Sequence, residues 1–485
     1  MLKKVGKAVG VGLGVLAVLA VGLYAIGLRV VLDGGGTPTL RFMESADERA
    51  SALARHREAQ RNQPPAPTGA PAPPSPGVAE TPVPSAEVRA LPPSPTRAPR
   101  AYWTNFRGPA RDGHYLERPI RTDWPAGGLT PVWKQPVGGG YASFVAANGR
   151  AFTIEQRGGQ EVVAAYDVPT GRELWSNAWS ATFRESMGGD GPRATPTWHD
   201  GKVYALGAAG ELRCLDDATG AMIWRTNILD DAAAPNLQWG MSAAPLVADD
   251  NVIVLPGGPG GKSVVAYNRV TGKQAWSALD DTQSYSSPML VTLAGVRQIL
   301  VFSASRLMGI TPESGQVLWE FPWQTQYGVN ASQPLLMGDR RIFISTGYGT
   351  GAAAIELSPE GAGRLSVKEL WRTNRMKNQF TSSVLHEGFI YGLDEAILAC
   401  IDAATGELKW KGGRYGYGQI MLASGHLIVV TEGGELSLVR ANPDGHIEIA
   451  RFPGLDGKTW NHPAISDGYL LVRNLNEMAA FDLRR

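Results

Sequence analysis

Ala165-Tyr-Asp-Val-Pro-Thr-Gly171-Arg-Glu-Leu-Trp175 and Cys214-Leu-Asp-Asp-Ala-Thr-Gly220-Ala-Met-Ile-Trp224 are two copies of one unit. An alternating strand ends in Asp, a turn carries Gly, and Trp follows four residues later. The pair returns as Gly272/Trp276, Gly315/Trp319 and Gly406/Trp410. Self-similarity at roughly 40–50 residues marks a repeat architecture. Around each Gly–Trp pair stand the same four short strands. The first opens on small residues and often Pro, as in Ala194-Thr-Pro196, Ala243-Ala-Pro245, Ser286-Ser-Pro288, Ser332-Gln-Pro334 and Asn461-His-Pro463. Proline has no ladder N–H and suits the start of an edge strand. The second strand is aliphatic (Asn251-Val-Ile-Val-Leu255, His426-Leu-Ile-Val-Val430), the third leads into the Gly turn, and the fourth carries Trp.

The pattern predicts an all-β, eight-bladed β-propeller of four-stranded antiparallel blades. The fourth strands carry Trp133, Trp175, Trp224, Trp276, Trp319, Trp371 and Trp410, and Ile449 stands four residues after Gly445 as a degenerate eighth. Val367 replaces the Gly before Trp371, so that turn is expected to be longer. Pro131-Val-Trp133 is a fourth strand without partners, and Asp467–Leu483 supplies strands without a fourth. One blade is therefore stitched from both ends of the propeller sequence, which removes open edges.

The unit Ala-x-Asp-x-x-Thr-Gly-x-x-x-Trp resembles the tryptophan-docking repeat of pyrroloquinoline-quinone-type propellers. That group includes quinoprotein alcohol dehydrogenases and the cofactor-free outer-membrane assembly factor B-like lipoproteins. The resemblance covers residues 131–485, and Tyr102-Trp-Thr-Asn-Phe-Arg-Gly-Pro109-Ala-Arg-Asp-Gly113 resembles the lead-in of the cofactor-free members. For the dehydrogenases it implies a quinone stacked on an indole, a cation held by Glu, Asn and Asp, a catalytic Asp and, in many, a disulfide between adjacent cysteines. No Glu–Asn–Asp set maps onto this chain, and Cys214 and Cys400 lie in opposite blades. The expectation is no catalytic residue, no metal and no cofactor. The alternative is a membrane-anchored dehydrogenase of alcohols or sugars that uses pyrroloquinoline quinone with Ca²⁺. A carbohydrate-binding propeller with stacking Trp239, Tyr417 and Trp460 is a third reading.

Other motifs carry less. Net charge is +1 without a basic cluster, against nucleic-acid binding. Pro256-Gly-Gly-Pro-Gly-Gly261-Lys-Ser263 ends like a phosphate loop but continues as a strand, whereas that motif must open a helix. The seven histidines show no metal-ligand spacing.

Ala8–Leu28 is an uncharged stretch of 21 residues preceded by Lys3, Lys4 and Lys7. It is long enough to span hydrocarbon, and the basic flank sets the propeller outside. A cleaved signal peptide fits the same flank. The expected domains are residues 1–33 as cytoplasmic tip and transmembrane anchor, 34–61 as a short polar helix, 62–100 as a proline-rich linker and 101–485 as the propeller. Pro64–Pro99 holds 13 prolines, the composition of a semi-rigid spacer. No cysteine precedes residue 200, so lipid anchoring is not expected. The expected location is the inner membrane, crossed once by residues 8–28, with a monomeric propeller outside.

The loops from each Trp strand to the next inner strand open onto one end of the ring. They carry Arg193, Trp239, Tyr285, Asn330, Lys377, Tyr417, Trp460 and Asn461, rich in residue types favoured in recognition. This face is the candidate binding surface. The leading expectation, from the resemblance to the assembly factor B-like members, is a non-catalytic membrane-anchored scaffold whose partner is a protein of the cell envelope.

Overall fold

The Gly–Trp spacing translates into a strand register. In the computed structural model, which describes residues 21–62, 102–361 and 363–484, eight antiparallel sheets succeed one another along the chain. Blades one to seven span residues 145–180, 197–227, 246–278, 289–322, 335–373, 384–414 and 419–453. Blade eight joins Ala464–Ser466, Tyr469–Arg473 and Glu477–Asp482 to Trp133–Pro136, with Ala480 opposite Trp133. The stitched blade is the one the sequence predicts.

Each repeat Trp sits opposite a small residue of its own third strand. The pairs are Ala165–Trp175, Cys214–Trp224, Ala266–Trp276, Gly309–Trp319, Ala354–Trp371 and Cys400–Trp410. The two cysteines are therefore buried small residues beneath indoles, and burial pushes each thiol up to about 12. The indole then reaches the next blade. A Cβ on Gly171 would meet Trp133, and Gly220, Gly272, Gly315 and Gly406 stand likewise over Trp175, Trp224, Trp276 and Trp371. Those glycines adopt φ of 70–75°, so both conformation and space require them. Most indole N–H groups donate to a carbonyl of the following blade: Trp133 to Val168 at 2.8 Å, Trp175 to Asp217 at 2.9 Å, Trp410 to Asn442 at 2.8 Å. The Asp of the unit holds the turn, as when Asp216 Oδ1 accepts the Thr219 amide at 2.9 Å.

Blade seven corrects the sequence reading by one residue. Leu438 pairs with Ala450 and Val439 with Glu448, so Ile449 is the bulged residue and Ala450 holds the Trp position. A Leu faces this Ala, whereas small residues face every Trp. In blade five the strands Gly351–Gly361 and Arg364–Thr373 form a long hairpin in place of the Gly turn. Trp319 of blade four has no turn glycine to pass beneath, and its N–H donates to Gln298 of its own blade.

Segments outside the repeat fill the channel and brace the seam. Residues 102–115 run along the inner strands, with the amides of Ala146, Trp198 and Leu422 donating to the carbonyls of Trp103, Thr104 and Gly113. His114–Tyr115 adds a fifth, parallel strand to blade seven. Arg111, 3% exposed, donates to the carbonyls of Pro245, Pro288 and Ala244 at 2.5, 3.0 and 3.3 Å. Pro256–Ser263 is a turn leading into Val264–Asn268.

The expected polar helix spans Ala46–Asn62. It opens on a capping box in which the Ser45 amide and Glu48 carboxylate, and the Glu48 amide and Ser45 hydroxyl, bond reciprocally. Its Arg57 is 3% exposed and reaches both sides of the seam, the Pro136 carbonyl at 3.1 Å and Glu173 at 3.3 Å. Ahead of it stands a hairpin the sequence reading lacks, Leu28–Leu32 paired with Pro38–Phe42. Residues 1–20 and the linker residues 63–101 lie outside the described residues. Within the apolar stretch, residues 21–25 are helical, Gly27 turns at φ 91°, and a strand begins at Leu28. Among the described residues no helix is long and apolar enough to cross a membrane, and residues 8–20 of the expected transmembrane stretch lie outside the described residues.

Candidate functional site

The inner strands approach the ring axis, and the residues just before them line a funnel of about 230 Å³. One register position recurs in the wall from blade to blade, the residue four before the first residue of the inner strand. It is Tyr141, Arg193, Ser242, Tyr285, Ala331, Phe380 and Trp460 in blades one to six and eight, all lining the cavity. Extended chain alternates its side chains, so the next residue but one points inward again, giving Thr195, Ser287, Gln419 and His462. The residue between points into the structure. A belt of bonds between blades fixes these ends: Ser143 N–H to Thr195 Oγ1 at 2.9 Å, Ala244 N–H to Ser287 Oγ at 2.9 Å, Gln333 N–H to Ser382 Oγ at 3.0 Å.

This alternation sorts the eight candidates. Arg193, Trp239, Tyr285 and Trp460 line the funnel together. Tyr417 holds the equivalent position of blade seven, two before Gln419 as Arg193 stands two before Thr195, and Gly34 and Gly35 of the N-terminal hairpin lie against its ring. Asn330 and Asn461 are one residue off register and buried. Asn330 donates to the Ser303 carbonyl at 2.8 Å, and Asn461 to the Gly140 and Ala142 carbonyls at 3.0 Å. Lys377 is outside the funnel, paired with Asp394 at 2.7 Å. Arg193 is itself packed, over Phe183 at 4.4 Å and donating to the Gly189 carbonyl at 2.6 Å.

The sequence reading missed Tyr141, Tyr348, Gln379, Glu432 and Lys458. Tyr141 was legible, because it stands two before Ser143 as Tyr285 stands two before Ser287. The others lie off that register position. The aromatic wall is continuous in places, with Tyr141 stacked on Trp460 at 5.3 Å, Phe380 tilted on Trp460 at 4.6 Å, and Trp239 tilted on Tyr285 at 5.6 Å. Lys458 lies 3.6 Å over the Trp460 ring, and burial lowers its ammonium to about 8, against the pull of Glu432 and Glu185. At the floor, His462 packs edge-on to Phe106 at 5.6 Å. Burial, reinforced by Arg107, lowers its imidazole to about 3 and keeps it neutral.

The quinone and cation of the dehydrogenase branch do not fit this funnel. Its nearby carboxylates are committed to backbone amides: Asp33 to Gly35 and Thr37, Glu185 to Met187 and Gly188, Glu432 to Gly34 and Tyr417. Among the described residues no three His, Cys, Asp or Glu come together as a metal site. The aspartate pairs of the turns serve other ends: Asp249 pairs with Arg297 at 2.7 Å and Asp281 with Arg306 at 2.6 Å.

Residues 158–412 match the family described as outer membrane protein assembly factor BamB. Relatives of that name from Burkholderia pseudomallei and Shewanella oneidensis are 24% and 22% identical over 322 and 308 residues. The matches cover 63% and 61% of this chain and 74% and 75% of theirs. Among solved structures, BamB from Moraxella catarrhalis superposes with a TM-score of 0.52 at 15% identity, over 73% of this chain and 99% of its own. The quinohemoprotein alcohol dehydrogenase from Comamonas testosteroni gives 0.56 at 13%, over 80% and 81%. At such identities the structural likeness establishes the propeller alone. The expected single-pass inner-membrane location is corrected by two findings. The relatives are named for outer-membrane protein assembly, and no described helix can cross a membrane. With more than half of its residues matched, the chain belongs to the outer membrane protein assembly factor BamB family.

Proposed function

We propose that this propeller is a non-catalytic scaffold of outer-membrane protein assembly that engages a polypeptide partner through its funnel mouth. The observation that carries the reading is the convergence of Tyr141, Trp239, Tyr285, Phe380 and Trp460 from separate blades into one apolar, aromatic funnel. Turn closure alone would be met by Gly, Asn or Asp at these loops, so the large rings have another use. Tyr and Trp present wide, rigid contact area at small entropic cost. The reading needs no cofactor, in keeping with committed carboxylates and separated cysteines.

The test replaces Trp239 and Tyr285, which touch each other in the funnel lining and belong to none of the buried hydrophobic clusters of the described residues. Trp239→Ala with Tyr285→Ala is expected to reduce folded outer-membrane β-barrel protein to the level of a strain lacking this chain, with Tm moving by only a few degrees. Wild-type assembly by that variant would overturn the reading. Dye reduction by the wild-type protein supplied with quinone, Ca²⁺ and an alcohol would replace it with the dehydrogenase.

A further inference from the structure

The turn of the N-terminal hairpin reaches the funnel mouth and is gripped there by its backbone. The Gly34 N–H donates to Glu432 Oε1 at 2.7 Å, and the Gly34 carbonyl accepts from Gln379 Nε2 at 2.8 Å. Both polar groups of one residue are thus captured. Lys458 Nζ reaches the Leu32 carbonyl at 3.3 Å. The grip is set in advance: the Trp460 indole N–H at 2.9 Å and the Tyr417 amide at 3.1 Å both donate to the Glu432 carboxylate. Tyr417 forms the base. A Cβ on Gly34 would lie 2.6 Å from Tyr417 Cβ and Cδ2, and one on Gly35 would lie 3.0 Å from the hydroxyl. No side chain fits at Gly34. The turn brings its own scaffold, since Asp33 Oδ1 accepts from the amides of Gly35 and Thr37 at 2.9 and 2.7 Å.

The hairpin behind this tip holds on weakly. Pro38–Phe42 is exposed throughout, with Leu40 and Phe42 at 68% and 71%. Elements with few buried contacts open at low free energy. Only Met43–Ser45 separate the hairpin from the docked helix Ala46–Asn62, so a released tip remains at high local concentration.

We infer that the funnel mouth is a glycine-turn recognition site, built from Glu432, Gln379, Tyr417, Lys458 and Trp460, that takes a Gly-Gly turn of a partner polypeptide. The chain's own Asp33–Gly36 turn fills it in cis. The inference rests on the reading of the mouth as a polypeptide-binding face and adds the chemistry of what it binds and a built-in competitor.

The probe is the capped synthetic peptide Leu-Asp-Gly-Gly-Gly-Thr, titrated calorimetrically into the full-length protein. Gly34→Val is the releasing variant, checked by hydrogen exchange across residues 28–42. Valine at 34 is expected to release the tip, and the peptide should then bind at least about tenfold more tightly than to wild type, whose tethered turn competes. Adding Glu432→Ala should abolish that gain, as should a peptide with Val for its first Gly. A tip that stays protected in Gly34→Val overturns the glycine requirement. A released tip with no peptide binding overturns the site. If the peptide fails while Trp239→Ala with Tyr285→Ala still loses outer-membrane assembly, this inference falls and the scaffold reading stands.

Discussion

Both ends of the channel are covered by segments outside the repeat, yet they are held by opposite means. At the floor, side chains of residues 102–115 enter the ring: Trp103 is fully buried, and Arg107 and Arg111 are 1% and 3% exposed among carbonyls of several blades. At the mouth the ring reaches out instead, and Glu432, Gln379 and Lys458 hold the hairpin by its main chain. A segment whose own side chains complete the core cannot leave without unsatisfying buried groups. A segment gripped only by its backbone can be exchanged for any chain of the same turn. The floor is therefore architecture, and the backbone grip at the mouth is what supports our proposal of a site there.

The sharpest test of this contrast is Arg111→Met, which keeps bulk but strands several buried carbonyls. A loss of about 3–5 kcal/mol is expected in urea unfolding, because each unmet buried acceptor costs on the order of 1–3 kcal/mol. A loss below about 1 kcal/mol would erase the distinction between the ends.

The wall between them should respond through size matching in blade seven. Leu438→Ala is expected to cost about 2–4 kcal/mol by opening a cavity. Ala450→Trp alone should overpack. Combined, the two should cost less than their sum, because the variant pair restores the small-residue–Trp match of the seven other blades. Strict additivity in a double-mutant cycle would refute the register assigned to Ala450.

His462 gives the floor a pH signature. Its pKa is about 3 when folded against 6.5 as the ordinary value, so between those limits the unfolded chain binds the extra proton. Stability contributed by neutral His462 is complete above pH 6.5 and is lost as pH falls towards 3, by up to about 1.4 kcal/mol per pH unit. His462→Gln should flatten that part of the pH–stability profile. An unchanged slope would mean the imidazole is hydrated in the native state.

The smallest effect is expected at the mouth. Gly34→Val should change global stability by no more than about 0.5 kcal/mol, because the hairpin adds little buried surface. A larger fall in Tm would make the hairpin part of the fold and remove the contrast.

The repeat was readable because each blade restates the same constraint: Trp needs a small residue opposite and Gly above it in the next blade. Blade seven was misread by one residue because the bulge that precedes the Trp in blades one to six is invisible without a pairing partner, and Gly445 pointed to the bulged Ile449. Half the site was readable for a similar reason. Arg193, Tyr285, Tyr417 and Trp460 share a register position, whereas Asn330 and Asn461 sit one residue away, where strand alternation turns them inward. Glu432, Gln379 and Lys458 follow no period. Their roles come from single contacts with residues 32–34, roughly 340–430 positions away in the chain, and no local pattern announces such a meeting.

The seam in blade eight also orders events in time. Trp133–Pro136 is made early, but its partner Glu477–Asp482 follows about 340 residues later. At the usual pace of synthesis, about 5–20 residues per second, the first strand waits on the order of tens of seconds for its mate. Throughout that interval the growing chain is an open arc with two unpaired borders, each a template for pairing with a neighbouring chain. Arg57 of the preceding helix already contacts Pro136 and Glu173, both translated early. It can hold the leading border to blade one until the last strand arrives and completes the circle.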